Sequence, residues 1–261
     1  MDRLIDTQTN LLRHLTSHAF IFGTRDLEAA AHDPDLRGMD IRRLRLEAEF
    51  SYSKRMKRIR QTFERTATLL GHGFETLLRD FAAASPPTTY ERYPDAKCFH
   101  DHFQERSAQE PPTPAWAADV AAIELALAAA RTLRPTAMES EALAARPRPS
   151  RDLWYRAHPC AVPVRCRYDV RCLFEPGRSG EPIPQRPVCL VVLAVRGRRQ
   201  PQVLEVAPET LARLARSTQW SPLASNGAGT DDNARVSLVK RLAAQGLMLV
   251  DGNDSRDENR G

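Results

Sequence analysis

The chain has 261 residues, 42% of them hydrophobic and 27% charged, which is typical of a globular protein with one large or two ordinary domains. No apolar run approaches the ~20 residues that a membrane span needs. The first fifteen residues include acids and have no apolar segment of the secretory type, so we expect a cytoplasmic protein that does not insert into a membrane.

The positive charge is spread along the whole chain. The formal net charge is +5 and the isoelectric point is about 9.1, but the Arg residues occur in every segment. This distribution weakly favours an acidic protein or peptide as partner, and it is not a nucleic-acid signature by itself. The five Cys residues, an odd number in a chain expected to be cytoplasmic, are predicted to be reduced thiols.

The first 135 residues are predicted to form an all-α domain of about five helices. Apolar residues recur at intervals of three or four over Asp2–Leu15, Ile41–Phe81, Asp95–Arg106 and Ala115–Leu133. Prolines separate the later segments, as at Pro86-Pro87. These features predict short connections between neighbouring helices.

The segment Ile41–Phe81 is predicted to be a helical hairpin around which this domain packs. Gly71 and Gly73 are expected to end its first helix, because Gly readily adopts the left-handed conformation of a C-cap. A second amphipathic helix then runs to Phe81. One face of the first helix is apolar, with Met56, Ile59, Phe63, Ala67 and Leu70. The opposite face is predicted to be cationic and exposed, with Lys54, Arg55, Lys57, Arg58, Arg60 and Arg65.

The string SKRMKRIRQTFERTATLLGHGFETLLRDF and the later PAWAADVAAIELALAAAR resemble the helical domain of MbnC proteins. These proteins are partner subunits of MbnB, the iron enzyme of methanobactin biosynthesis. The resemblance implies that residues 1–135 dock on a TIM-barrel iron enzyme. It also implies that the iron lies in that enzyme, and that this chain holds no metal or other cofactor and no catalytic residue. We assign partner docking to Arg55, Arg58 and His72.

Residues 136–151 are predicted to be a linker, because the segment is proline-rich; a brief helix over Ser140–Ala145 would interrupt it. Beyond it the hydrophobic period changes from 3.6 to 2, first over Val162–Tyr168 and then over Val170–Phe174. The apolar run Val188–Val195 and the segment Gln202–Val206 are separated by a turn, which predicts a β-hairpin.

Two helices and a strand are predicted after the hairpin. Pro208 fits the first turn of one helix, Arg235–Gln245 reads as the other, and LMLV follows as a strand before a disordered tail over 251–261. The fold class is therefore α+β, with an all-α domain followed by a β-containing domain over 152–250.

This element order resembles a winged-helix-like module, specifically the PqqD-like module that recognises leader peptides. In that family the leader adds as a strand beside the hairpin and packs on the final helix. The resemblance therefore implies an open strand edge near Val188–Val195. We assign peptide binding to Leu190, Val192, Ala194 and Arg196 on the strand, and to Arg235, Val239 and Leu242 on the helix.

Other candidate sites have simpler interpretations. Cys98 and His102 are four residues apart and could share a metal ion, but no second ligand pair accompanies them. An exposed His and a half-buried thiol are favoured there. Cys160, Cys166 and Cys172 form no C-x-x-C motif and are expected to be buried thiols. The carboxylate of Glu124, in an apolar helix, is expected to pair with a nearby Arg.

The resemblance predicts a non-catalytic subunit that binds the leader of an MbnA-like precursor peptide. The enzyme would then convert Cys residues of the peptide to oxazolone and thioamide groups that chelate copper. One alternative keeps the architecture but serves an enzyme acting on a C-terminal Cys. Another is a winged-helix DNA-binding regulator, although no helix with base-reading residues accompanies the basic residues of the hairpin.

Overall fold

A computed structural model gives the chain a mixed α+β fold. It describes residues 9, 11, 15–22, 34–87, 91–133, 135–145, 153–175, 182–198, 200–223 and 230–251. Contacts divide the chain into two compact units, Met1–Leu125 and Ala126–Gly261. The N-terminal region is helical, and two small antiparallel three-stranded sheets with helices follow it, which confirms the α+β prediction. Most of the predicted helix Asp2–Leu15 and the predicted tail beyond 251 lie outside the described residues.

The helices of the N-terminal region are joined by short connections. They are α1 (His18–Ile21), α2 (Ile41–Thr62), α3 (Glu64–Leu70), α4 (His72–Ala84), α5 (Arg92–Gln109) and α6 (Ala117–Thr132). A 3-10 turn at Pro34–Leu36 precedes α2. None of the helices in the described ranges has both the length and the apolar character needed to cross a membrane.

The hairpin around α2 has one more break than expected. Asp40 caps α2, because its Oδ1 accepts the backbone N–H groups of Arg42 and Arg43. The helix is interrupted at Phe63 before α3 begins. Gly71 ends α3 with φ of 53°, as predicted for a glycine stop. The prediction for Gly73 is wrong, because this residue lies inside α4.

Aromatic side chains form the centre of the helical unit. The ring of Phe99 in α5 is fully buried, and its centroid lies 5.1 Å from that of Phe63 and 5.4 Å from those of Phe74 and Phe81. Apolar residues from α2, α4 and α5 surround this cluster, with Ile59 among them. The predicted apolar face of the hairpin is therefore the face that forms this core.

The second unit contains six strands in its described part. They are β1 (Leu153–Ala157), β2 (Ala161–Cys166), β3 (Val188–Leu193), β4 (Gln202–Val206), β5 (Ser221–Leu223) and β6 (Met248–Asp251). In one sheet β1 is central between β5 and β6, and in the other β3 is central between β2 and β4. The helices α7 (Pro135–Ala144), α8 (Pro208–Arg216) and α9 (Thr230–Ala244) complete the described elements.

Both sheets contribute to one core. Tyr155 and Met248 from the first sheet and Val191 from the second are buried with Leu214 of α8 and Val239 of α9. The predicted hairpin of β3 and β4, the helix that begins at Pro208 and the last strand are all present. The predicted strand over Val170–Phe174 is wrong, because a 3-10 turn forms at Arg171–Leu173. The strands β1 and β5 were not predicted.

The helix α7 packs within the second unit. The indole N–H of Trp220 donates to the carbonyl oxygen of Ala142 at 2.9 Å. His158 Nδ1 accepts the backbone N–H of Cys160 at 3.2 Å, so its Nε2 carries the proton and donates to Glu139 at 3.1 Å. Burial lowers the pKa of His158, which favours this neutral form. Residues 135–144 are therefore helical where the sequence predicted a linker with only a brief helix.

Candidate functional site

The strand assigned to peptide binding lies in the middle of its sheet. Leu190 of β3 is opposite Val164 of β2 on one side and Glu205 of β4 on the other. Leu190 and Val192 are both fully buried. The expectation of an open edge near Val188–Val195 is therefore wrong, because β2 and β4 already occupy both edges of that strand.

The other assigned peptide-binding residues lie in different surroundings. Val239 and Leu242 of α9 are buried in the core of the second unit, and Ala194 donates its backbone N–H to Cys160 at 3.2 Å. Arg196 is exposed in the turn between β3 and β4. Arg235 belongs to α9, and its side chain lies outside the described residues. Of the described members of this set, Arg196 alone offers an exposed side chain, and the binding role of the set stays a prediction.

The edges of this sheet are β2 and β4. Among the described residues, β4 pairs with β3 on one side only. The other edge strand, β2, contains Pro163, which has no N–H to donate to an added strand. Proline is one of the residues by which proteins protect an edge from further pairing. The outer edge of β4 is therefore the better candidate for an added peptide strand.

A cavity of about 570 Å³ opens beside the same sheet. It is bordered by the end of β2, the start of β3, the end of β4 and the first residues of α8. A strand added along β4 would pass this cavity, because Glu205 and Val206 belong to both. A cavity in this place is suited to take a side chain of the peptide and so to set its register. The lining residues are Arg165, Cys166, Arg186, Pro187, Val188, Cys189, Glu205, Val206, Ala207 and Pro208.

Four charged side chains form a closed ring next to the cavity. Arg171 Nη2 lies 2.7 Å from an oxygen of Asp169 and 2.7 Å from an oxygen of Glu205. Arg186 bridges the same two carboxylates from the other side, with Nη1 2.8 Å from Glu205. The ring holds the connection between β2 and β3 against β4. The hydrogen bonds from Arg171 and Arg186 hold the pKa of Asp169 well below its usual range, in spite of partial burial.

Replacing Asp169 with Asn is expected to lower the free energy of unfolding by about 2 kcal/mol at neutral pH, because both Arg residues lose a half-buried charged acceptor. Native Asp169 stays ionised at pH values where the unfolded carboxyl, with its ordinary pKa, takes up a proton. The stabilisation is therefore complete above about pH 4 and declines as the pH falls through the native pKa. Urea unfolding of both proteins at several pH values measures this difference. Asp101→Asn, at an exposed ion pair with Lys97, is the control; an equally large loss there would contradict the prediction.

The residues assigned to partner docking differ in their exposure. The guanidinium of Arg55 donates to Asp95 at 2.7 and 3.0 Å and to the carbonyl oxygen of Ser85 at 2.8 Å, and it lies 4.8 Å from the ring centroid of Phe81. Its side chain is only 11% exposed. The prediction that Arg55 lies on the exposed cationic face is therefore wrong, and we no longer assign it to docking. Arg58 and His72 are exposed, and their docking role stays a prediction.

The buried thiols are placed as the sequence predicted, but the prediction of an exposed His and a half-buried thiol at Cys98 and His102 is wrong, because Cys98 is exposed and His102 is half-buried. Cys160, Cys166 and Cys172 are buried free thiols, as predicted, while Cys98 is exposed. The ring of His102 packs against Phe81, with 5.7 Å between centroids. Within the described ranges, no group of three or more His, Cys, Asp and Glu side chains is placed to hold a metal ion. The assignment of iron to a partner enzyme remains a proposal.

The sequence interpretation missed two features of this region. It did not identify β4 as an edge strand and took β3 as the open strand instead. The continuous apolar run in β3 is more typical of a central strand that is buried on both faces. It also did not pair Asp169 with Arg186, which lies 17 residues away in the sequence. No periodicity or motif marks such a pair.

No known family model matches this sequence, and no curated protein matches it. The resemblances to MbnC proteins and to PqqD-like modules therefore stay predictions from the sequence.

Proposed function

We propose that this chain is a non-catalytic partner subunit of an MbnB-like TIM-barrel iron enzyme that modifies peptides. Its helical N-terminal region docks on the enzyme, and its second unit binds the leader of an MbnA-like precursor peptide. The iron belongs to the enzyme, and the pair works in the cytoplasm. As the resemblance implies, the enzyme oxidises Cys residues of the peptide to oxazolone and thioamide groups that chelate copper.

The second unit is proposed to be a variant of the winged-helix-like, PqqD-like module. The antiparallel sheet of β2, β3 and β4 followed by α8 and α9 supports this assignment. The variant differs from the expected pattern in its second sheet, which adds β1, β5 and β6 to the same core.

The observation that carries the proposal is the edge position of β4 beside the cavity. The backbone groups on the outer edge of a strand can pair with an extended peptide, and the cavity can select one of its side chains. Main-chain pairing of this kind tolerates variation in the peptide sequence, which suits the recognition of a leader. The leader is thus proposed to add along Gln202–Val206 rather than along the buried central strand.

The contribution of such a subunit is positional. A leader held on this sheet keeps the rest of the peptide near the enzyme's iron and raises its effective concentration there. It also limits the directions from which a Cys residue can approach. No catalytic side chain in this chain is required for either effect.

The proposal predicts that a fluorescently labelled precursor peptide binds the purified chain and slows hydrogen exchange in β4. Amides of Gln202–Val206 that face outward should become protected, since they gain partners in the peptide, whereas those of Ala161–Cys166 should not change. Anisotropy titration and hydrogen-exchange mass spectrometry measure the two effects. Protection of β2 instead of β4 would contradict the assigned edge, and a lack of peptide binding would contradict the function.

Co-purification with the iron enzyme encoded beside this chain separates the remaining alternatives. A complex that converts internal Cys residues of its precursor supports the methanobactin-type reaction, and one that acts on a C-terminal Cys supports the sibling pathway. Binding to duplex DNA with a steep salt dependence, without binding of enzyme or peptide, would support the DNA-binding regulator and reject the subunit.

A further inference from the structure

The side of α2 that faces away from the core carries two large apolar side chains. Leu46 is 65% exposed and Phe50 is 57% exposed. They lie one turn apart, so their side chains are neighbours on the helix surface. The opposite side of the same helix buries Ala48, Met56 and Ile59. In the described part of the helical unit, the core therefore forms without Leu46 and Phe50.

Cations surround this exposed pair. At 100° per residue, Arg43, Lys54 and Lys57 lie within about 40° of Phe50 around the helix axis. The ammonium of Lys54 lies 4.1 Å from the centroid of the Phe50 ring. Of the acids near this surface, Glu49 pairs with Arg45 and Glu75 pairs with Arg60. The exposed Glu47 lies about 60° from Phe50, at the margin of the surface, so the three cations outnumber one acid there. The surface therefore presents an apolar centre with a positive rim.

We infer that this surface, formed by Arg43, Leu46, Phe50, Lys54 and Lys57 and called here the α2 outer surface, docks on an acidic surface of the iron enzyme. Phe50 enters an apolar recess of the enzyme, and carboxylates around that recess meet the cations. The inference rests on the proposed function and adds the surface and the chemistry of its partner.

The geometry of the α2 outer surface fits the centre of a protein interface. It extends over 15 residues of helix, about 21 Å from the first to the last. Interfaces obtain most of their affinity from a few central side chains that are shielded from water by their surroundings, and aromatic residues are prominent among them. The Lys54 ammonium lies against the Phe50 ring. When Phe50 enters the recess of the enzyme, this positive charge therefore faces the carboxylates around that recess.

Charge argues against a second copy of the chain as the occupant. A two-fold contact through this surface would bring three cations of one copy against three of the other, and like charges across an interface oppose association. An anionic membrane would match the charge, but two apolar side chains offer little area for insertion. A carboxylate-rimmed recess on a protein satisfies both the charge and the apolar centre.

The test measures binding of the full chain to the iron enzyme by biolayer interferometry. Phe50→Ala is expected to weaken the Kd about 30-fold, the effect of losing a central aromatic side chain. The double variant Arg43→Glu/Lys57→Glu is expected to slow association about 10-fold and to reduce its dependence on salt. The matched controls are Leu143→Ala, at a residue 41% exposed on α7, and Arg131→Glu at the exposed end of α6; both should bind as the wild type does.

Circular dichroism verifies that each variant keeps its helix content, and peptide anisotropy verifies that the precursor still binds. If the wild type binds the enzyme and the α2 variants bind equally well, the inference is wrong and the proposed function stands. If the wild type does not bind the enzyme, both fail. Two other results would overturn the inference. A wild-type dimer in sedimentation that Phe50→Ala dissociates would identify a second copy of the chain as the occupant. Co-sedimentation with phosphatidylserine vesicles that Phe50→Ala abolishes would identify a membrane.

Discussion

Replacing Phe99 with Ala is expected to lower the free energy of unfolding by about 4 kcal/mol, the largest effect expected of any single change proposed for this chain. The ring is fully buried and contacts three other aromatic rings, from Phe63, Phe74 and Phe81. Removing it leaves a cavity between α2, α4 and α5 and removes three aromatic contacts at once. Urea unfolding followed by circular dichroism measures the loss, and hydrogen exchange should show faster exchange of amides in these helices.

Phe50→Ala is the matched control for this change, because the same side chain is deleted at a position that is 57% exposed. It should leave the free energy of unfolding nearly unchanged, since little buried area is lost. Phe99→Leu should fall between the two, because it refills part of the cavity. A loss for Phe99→Ala no larger than that of the control would mean that the aromatic cluster is not the core of the helical unit.

The helical half of the fold could be predicted because its signals are local. The spacing of Met56, Ile59 and Phe63 marks the buried face of the hairpin, and Gly71 ends a helix as its conformational freedom allows. The break at Phe63 could not be predicted in this way. It depends on Glu124, which lies about 60 residues further along the chain and supplies acceptors for the helix that restarts there.

The β-containing half shows where local signals fail. The run over Val188–Val195 correctly indicated a strand, and the neighbouring segment correctly completed a hairpin. The continuous apolar character of the run also indicated burial on both faces, which is more typical of a strand inside a sheet than of an edge strand. The strand β1 pairs with β5 and β6, which lie far from it in the sequence. Leu153 is opposite Leu223, and Arg156 is opposite Leu249, so the paired residues are 70 or more positions apart. Strands of this kind are defined by distant partners rather than by their own short sequences.

The charged residues of the candidate sites were the hardest to place. A charge pattern on a helix indicates which residues share a face, but it does not indicate which of them finds a partner on another helix. Arg55 lies close to the boundary between the core face and the exposed face of α2. Its pairing with Asp95 draws it inward, while Lys54, the preceding residue, remains exposed against Phe50.

Replacing Glu124 with Ala is expected to lower the free energy of unfolding by about 3 kcal/mol, because three donors at the start of α3 lose their acceptor on α6. One carboxylate oxygen accepts the backbone N–H of Arg65 at 2.8 Å. The other accepts the backbone N–H of Thr66 at 3.1 Å and its hydroxyl at 2.7 Å. Glu124 thus caps the start of α3, where Phe63 provides no side-chain cap. Where the sequence predicted pairing with an Arg side chain, the carboxylate accepts from two backbone N–H groups and from the Thr66 hydroxyl.

The variant Glu124→Gln tests whether the carboxylate itself is needed. It preserves the shape of the side chain, but its amide group can accept at only one of the two positions, so an intermediate loss is expected. Burial raises the pKa of Glu124 while the three donors oppose that rise, so this carboxyl is desolvated to make the cap. Urea unfolding of Glu124→Ala, Glu124→Gln and the exposed control Glu105→Gln measures the series. Equal stability of all three variants would show that α3 does not depend on Glu124.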